Sequence, residues 1–475
     1  MKKDMTQGSE FRVILIFAIP IMLANLLQQA YNAADAIIVG RYAGRLLSQT
    51  DEIAGGLLAQ NSLGAVGAVA PLTFLFLAFA MGLGVGVSVV CAQLYGARQE
   101  HKLAAAFDTS ILLMSGFGIV VTVAGWVLSP WLLHSVLSIE KSDPIYGLSL
   151  IYLQVYCLGL PFQFAYNAIA SALRGVGDSA ASLIFLAVTC SLNVVLDLWL
   201  VISFDWGVMG AAVATVISQV ICVALAYWYL RRKFPLVRGG QHFDLALCKT
   251  TVKIGLPTSI QQSIVALGNV ALTRLAIHFT TPDLPVITAF AAGSKVDLFM
   301  FVPISGLQSA LASFTGQNLA ANRPDRVKRA YYRTAAAGLG ISIALCILLY
   351  VFARPIIALF GVSGAAVTIG VEQVQYYAKV FWIFAIYMIL GGVLQGAGDT
   401  LLQSAATLSA LVTRVAVAYL GAFVFGWFGY EAAWVTLAVA WVVALIITNV
   451  RYYTGGWKKK VVAHRAETPE ITGEL

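Results

Sequence analysis

The chain has 475 residues, of which 60% are hydrophobic and only 11% charged, with a formal net charge of +8. Soluble domains carry about 25% charged residues, so a soluble globular fold is excluded and most of the chain must lie in lipid. The basic excess follows from the loops described below, and no nucleic-acid partner is needed to account for it.

A membrane-crossing helix needs about 20 mostly apolar residues. Twelve such stretches follow one another, at 11–40, 62–95, 104–132, 146–172, 180–203, 208–230, 250–278, 287–319, 330–352, 373–395, 402–425 and 431–453. Several exceed the minimum and predict tilt or extension beyond the bilayer. The alternating polarity of a membrane β-barrel is absent. The start, "MKKDMTQGSEFRVILIFAIP", is basic, but its apolar run continues into a full span without a small-residue cleavage site. It predicts a first span, not a cleaved leader. The segment 41–61, "RYAGRLLSQTDEIAGGLLAQN", reads as a long external loop before the second span.

Lys and Arg placement sets orientation. With the N-terminus in the cytoplasm, most of the 30 fall in cytoplasmic segments, from Lys2 and Lys3 to Lys458, Lys459 and Lys460. Only Arg41, Arg45, Lys141 and Arg354 fall in external loops. An even number of spans with both termini in the cytoplasm is therefore expected. The six cysteines form no CxxC pair and read as small apolar side chains. The five histidines show no metal-ligand spacing.

The two halves repeat. "LQVYCLGLPFQFAYNAIASALRGVGDS" (153–179) matches "VQYYAKVFWIFAIYMILGGVLQGAGDT" (374–400) at a shift of 221, placing Tyr156 on Tyr377 and Gly177-Asp178 on Gly398-Asp399. Pro20 and Asn32 match Pro257 and Asn269 at a shift of 237, and Gln93 matches Gln317 at 224. The expected fold is an all-α membrane protein with twelve transmembrane helices in two six-helix lobes. Six spans per half give both lobes one orientation, related by a pseudo-twofold axis along the membrane normal, with a site between them. The lobes are expected at 1–240 and 241–475, joined by a basic linker near 231–249.

"RGVGDS" and "QGAGDT" lack the Lys-Ser/Thr of a phosphate loop and predict tight helix–turn–helix joints, with Gly177 left-handed and Asp178 capping the next helix. The parallel repeat is the design of many secondary transporters, and with no nucleotide site such transport would run on an ion gradient, with no cofactor expected. "MGLGVGVS" (81–88) carries Gly82-xxx-Gly86, the spacing of close helix packing.

Polar residues inside the spans carry the functional signal. Asn25, Gln28, Asn32 and Asp35 share one face of the first span, and Asn193 and Asp197 are i, i+4 on the fifth. An Asp at a helix centre costs about 2.5–3.5 kcal/mol to insert and marks an ion or substrate pathway by default. The second half differs: Leu272 stands at the repeat position of Asp35, Ala418 at that of Asp197 and Arg414 at that of Asn193. It carries Arg274, Lys295, Asp297, Lys379 and Arg414 instead. Lys295 and Asp297 do not share a face, so each is expected to find a partner on another helix. Lys379 is expected to snorkel.

These features together resemble the multidrug and toxic compound extrusion (MATE) family. The residues that carry the likeness are "IPIMLANLLQQAYNAADAIIVGRYAG", "AVGAVAPL", "AQLYGARQ", "LRGVGDS", "LNVVLDLWLV" and "AGSKVDLFMFVPISGLQSALASFTGQNLAA". The resemblance implies a bacterial inner-membrane antiporter, not an enzyme, that exports small organic substrates, cations foremost, in exchange for H⁺ or Na⁺. It places the cation at Asp35, Asn193, Asp197 and Thr215, the only site where a metal ion, Na⁺, is expected. Pathway candidates are Gln28, Asn32, Gln262, Asn269, Arg274, Lys295, Asp297 and Arg414. Members with acids on the seventh and tenth spans differ from this chain, whose seventh span offers Gln261 and Gln262. The alternative is a lipid-linked sugar flippase, kept open by the basic residues of the second half. One chain supplies both lobes, so a monomer with membrane lipid around it is expected.

Overall fold

The computed structural model describes residues 4–43, 52–137, 139–234, 243–281, 283–360 and 362–461. Among them 12 helices are long and apolar enough to cross a membrane. The first lobe holds α1 (Glu10–Tyr42), α2 (Glu52–Gly96), α3 (Glu100–Trp131), α4 (Tyr146–Gly175), α5 (Ser179–Asp197) and α6 (Gly207–Lys233). The second holds α7 (Leu245–His278), α8 (Val286–Ala320), α9 (Pro324–Ala358), α10 (Ala365–Gly396), α11 (Thr400–Tyr419) and α12 (Ala432–Thr454). The predicted junction at 240/241 falls in 235–242, outside the described residues.

The helices that begin furthest ahead of where hydropathy places them are α2 at Glu52, α7 at Leu245, α9 at Pro324 and α10 at Ala365. Hydropathy finds only the slab-crossing part of a helix. Local signals extend it, as where Pro324 opens α9 with Asp325 in its first turn. The long loop expected at 41–61 is thereby corrected. α1 runs to Tyr42 and α2 takes in Glu52 to Asn61, while 44–51 lies outside the described residues.

The lobes exchange the first halves of their first helices. Ile14, Phe17, Ala18 and Ile21 of α1 pack in the core of the second lobe. Leu247 and Ile254 of α7 pack in the core of the first. Pro20 and Pro257 lie within these exchanged halves, and each removes one backbone hydrogen bond from its helix.

The α2–α7 seam depends on absent side chains. A Cβ on Gly82 would lie 2.3 Å from the Ser259 backbone, and one on Gly86 2.3 Å from the Thr251 carbonyl. Gly82-xxx-Gly86 thus does what its spacing predicts. The seam ends in a reciprocal clasp at the end of the bundle that carries the N-terminus. Gln93 Nε2 donates to Gly396 O at 3.1 Å, and its repeat mate Gln317 donates through Nε2 to Gly175 O at 2.7 Å. Gln317 Oε1 also accepts from the Met5 backbone N at 3.1 Å, and Asn318 Nδ2 donates to Met5 O at 3.1 Å. The segment before α1 is thus strapped onto the second lobe. Glu10 extends the contact to Arg329 (3.1 Å) and Arg333 (2.8 Å).

The two glycine turns form as expected. Gly177 and Gly398 have φ +87° and +86°. Asp178 caps α5 through Ala181 N (3.3 Å) and pairs with Lys233. Asp399 makes no capping bond and instead pairs with Arg451 at 2.6 Å. The six cysteines are free, and Cys91, Cys157, Cys190 and Cys222 are buried.

Candidate functional site

Three helices bring four of the predicted residues together. Asp35 comes from the last third of α1, Asn193 and Asp197 from α5, and Thr215 from α6. All are buried: Asp197 is 0% exposed, Asn193 1%, Thr215 4% and Asp35 8%. Asp197 is the last residue of α5 before a π-helical turn, Leu198–Ser203, and the second lobe has the matching turn at Leu420–Val424. Such turns widen a helix locally and are common at functional sites.

The carboxyls of Asp35 and Asp197 lie within hydrogen-bonding reach of each other. Oδ1 of each is buried without a partner among the described residues. The Asn193 amide is satisfied at both ends in one orientation only: it then donates to Asp197 Oδ2 at 2.9 Å and accepts from Thr215 N at 3.2 Å. Thr215 Oγ1 donates to Ala211 O at 3.1 Å and lies 3.4 Å from the Tyr31 hydroxyl. Two adjoining carboxylates in a buried site repel unless a proton or a cation lies between them. The unpartnered oxygens and the Thr and Tyr hydroxyls suit either. Among the described residues no group of three or more His, Cys, Asp or Glu could hold a metal ion.

Three residues of this site escaped the sequence reading. Tyr31, Tyr152 and Tyr156 stand in the field of the Asp35 carboxylate. Tyr152 and Tyr156 stack with ring centroids 6.2 Å apart, and the Tyr156 hydroxyl donates to Gln163 Oε1 at 3.2 Å. Tyr31 lies four residues before Asp35 on one helix face, a spacing that could have flagged it.

The remaining candidates scatter. Asn25, from the same stripe as Asp35, reaches instead across the lobes to Ser305 Oγ at 3.3 Å. Gln28 and Gln262 are half-buried. The side chain of Asn32 lies outside the described residues. Asn269, Arg274 and Lys295 are exposed. The partner expected for Lys295 is not found, since no ion pair of Lys295 occurs among the described residues. Lys379 is exposed, with its ammonium 5.8 Å from the Tyr350 ring centroid.

Asp297 and Arg414 instead belong to a second polar cluster. Arg414 Nη2 donates to Ala433 O at 3.2 Å, and Gln373 Nε2 donates to the Tyr377 hydroxyl at 2.9 Å. Asp297 and Tyr377 both feel the Arg414 charge. Gly293 makes room for Gln373, whose Cδ would lie 2.4 Å from a Cβ there.

The MatE family model matches residues 45–199 and 257–420. The probable multidrug resistance protein YoeA of Bacillus subtilis is 28% identical, covering 96% of this chain and 96% of its own. The probable multidrug resistance protein YpnP of the same organism is 26% identical over 84% of this chain and 85% of its own. Among solved structures, MATE in the bent conformation superposes with a TM-score of 0.84 at 23% identity, covering 96% of this chain and 98% of that one.

Proposed function

Because this chain belongs to the MATE family of multidrug efflux transporters, we propose that it is a secondary antiporter that exchanges H⁺ or Na⁺ for small organic cations. The observation that carries the reading is the buried pair Asp35 and Asp197, each with an unpartnered Oδ1, at the junction of α1, α5 and α6. A site with two acids and no base holds a cation when the cation is available and repels itself when it is not. A ligand shifts a conformational equilibrium only by its different affinity for the two states. Cation binding here would draw α1 toward α5 and α6, and so favour one packing of the first lobe.

The distribution of basic residues supports a cytoplasmic N-terminal end in a bacterial inner membrane. The clasp formed by Gln93 and Gln317 then closes the cytoplasmic side, and transport requires it to open once per cycle. A single chain carries both lobes and works as a monomer. No observation favours the flippase alternative: Arg274 and Lys295 are exposed, and Arg414 is engaged with Ala433 O. In proteoliposomes, an imposed H⁺ or Na⁺ gradient should drive uptake or release of an organic cation, and Asp197→Asn should abolish that drive. Undiminished gradient-driven flux in Asp197→Asn would defeat the proposal.

A further inference from the structure

The second lobe keeps the framework of the first lobe's cation site and changes its charges. Thr436 stands at the repeat position of Thr215 and is as deeply buried. Its hydroxyl donates to Ala432 O at 3.2 Å, as that of Thr215 donates to Ala211 O at 3.1 Å. Tyr377 stands for Tyr156 and Gln373 for Tyr152. Both carboxylates are gone, replaced by Leu272 and Ala418, which are buried. Gly268 stands for Tyr31, and the space a side chain would need there is filled by Leu411, 2.5 Å from where its Cβ would be.

Arg414 takes the place of Asn193. It is anchored to Ala433 O on α12, and its Nε is buried without an acceptor among the described residues. A new carboxylate, Asp297, enters from α8 and feels the guanidinium without a direct ion pair between them among the described residues. The first-lobe site thus has two acids and needs a positive charge from outside. The second-lobe cluster has one acid and one base and is balanced by itself.

We propose that Arg414 is a tethered cation, occupying in the second lobe the role that an exchangeable cation plays in the first. The inference rests on the antiporter reading above and sharpens it: each chain has one exchangeable cation site, in the first lobe, and the second lobe is permanently loaded. Asp297 is the counter-charge, and Tyr377 and Gln373 hold the polar surroundings. A guanidinium is always charged, so this lobe does not cycle between loaded and empty states.

The test measures the melting temperature of the full chain in detergent against sodium at fixed pH and against pH at fixed sodium. The wild type should show a cation-dependent rise, and Asp197→Asn should lose it. In that background Arg414→Gln should create a new rise of at least about 2–4 °C, because Asp297 is left without its charge partner. Adding Asp297→Asn should remove the new rise. Absence of any new cation dependence on removing Arg414, or its persistence after Asp297→Asn, would overturn the tethered cation. A rise undiminished in Asp197→Asn alone marks failure of the first-lobe reading instead, and a second lobe that responds there with Arg414 intact overturns the tethered cation as well. If Arg414→Gln does not accumulate, recovery of accumulation by Asp297→Asn supports the proposal and its absence overturns it.

Discussion

Gln317→Leu should loosen the closed end of the bundle. Gln317 is 0% exposed and serves both lobes at once, donating to Gly175 O at 2.7 Å and accepting from Met5 N at 3.1 Å. Leucine keeps the bulk but strands a carbonyl and an N–H in a dry seam. Each buried group left unpaired costs about 1–3 kcal/mol. Opening the seam lets water satisfy both, so the closed state bears most of the loss. Taking about 1.4–3 kcal/mol of net loss, the open-to-closed ratio rises roughly 10- to 150-fold. Spin labels at Lys102→Cys on α3 and Lys328→Cys on α9, both exposed helical positions in opposite lobes, would read the ratio as two distances. The six native cysteines would be replaced first. The wild type should give one short distance, and Gln317→Leu should add a longer one as a major population. An unchanged distance distribution would refute the clasp.

Two further outcomes follow from local geometry. Thr215→Val keeps shape but removes the hydroxyl facing Asn193 and Tyr31, and should weaken cation binding by about 1–3 kcal/mol, whereas Thr436→Val, its counterpart in the second lobe, should leave cation affinity unchanged. Equal effects at the two positions in a titration would contradict the difference between the lobes. Gly86→Ala should destabilise the chain by about 1–3 kcal/mol or more, because its Cβ would meet the Thr251 carbonyl at 2.3 Å and backbone cannot rotate away. Gly116→Ala, with no atom within 4 Å, is the control and should be neutral or stabilising in thermal unfolding.

Much of the architecture was legible because it is written in long periodic signals. Membrane slabs leave apolar runs, and the repeat leaves matching turns such as Gly177-Asp178 and Gly398-Asp399. Helix starts outside the slab were not legible: Pro324–Arg329 is a polar turn that hydropathy treats as loop, and in Glu52–Asn61 the pair Gly55-Gly56 and the polar Gln60-Asn61 read as loop although the helix runs through them. The strap was also missed, because nothing in "DMTQGS" announces that Asn318 and Gln317 will hold the Met5 backbone. At the proposed cation site the acids were conspicuous as rare charges in apolar runs. The tyrosines were not, since an aromatic residue in a membrane span is ordinary until a carboxylate is found beside it. The second lobe was half legible: Lys295 and Asp297 share no helix face, and the partner on another helix expected for Asp297 is Arg414 on α11, whereas Lys295 forms no ion pair among the described residues.

The central claim is that Asp35 and Asp197 together hold the exchangeable cation. Direct titration of purified protein with Na⁺ at fixed pH, paired with proton-release measurements at fixed Na⁺, tests it most closely. One saturable cation site is predicted for the wild type, lost in both Asp35→Asn and Asp197→Asn. Wild-type cation binding in both variants would contradict the account.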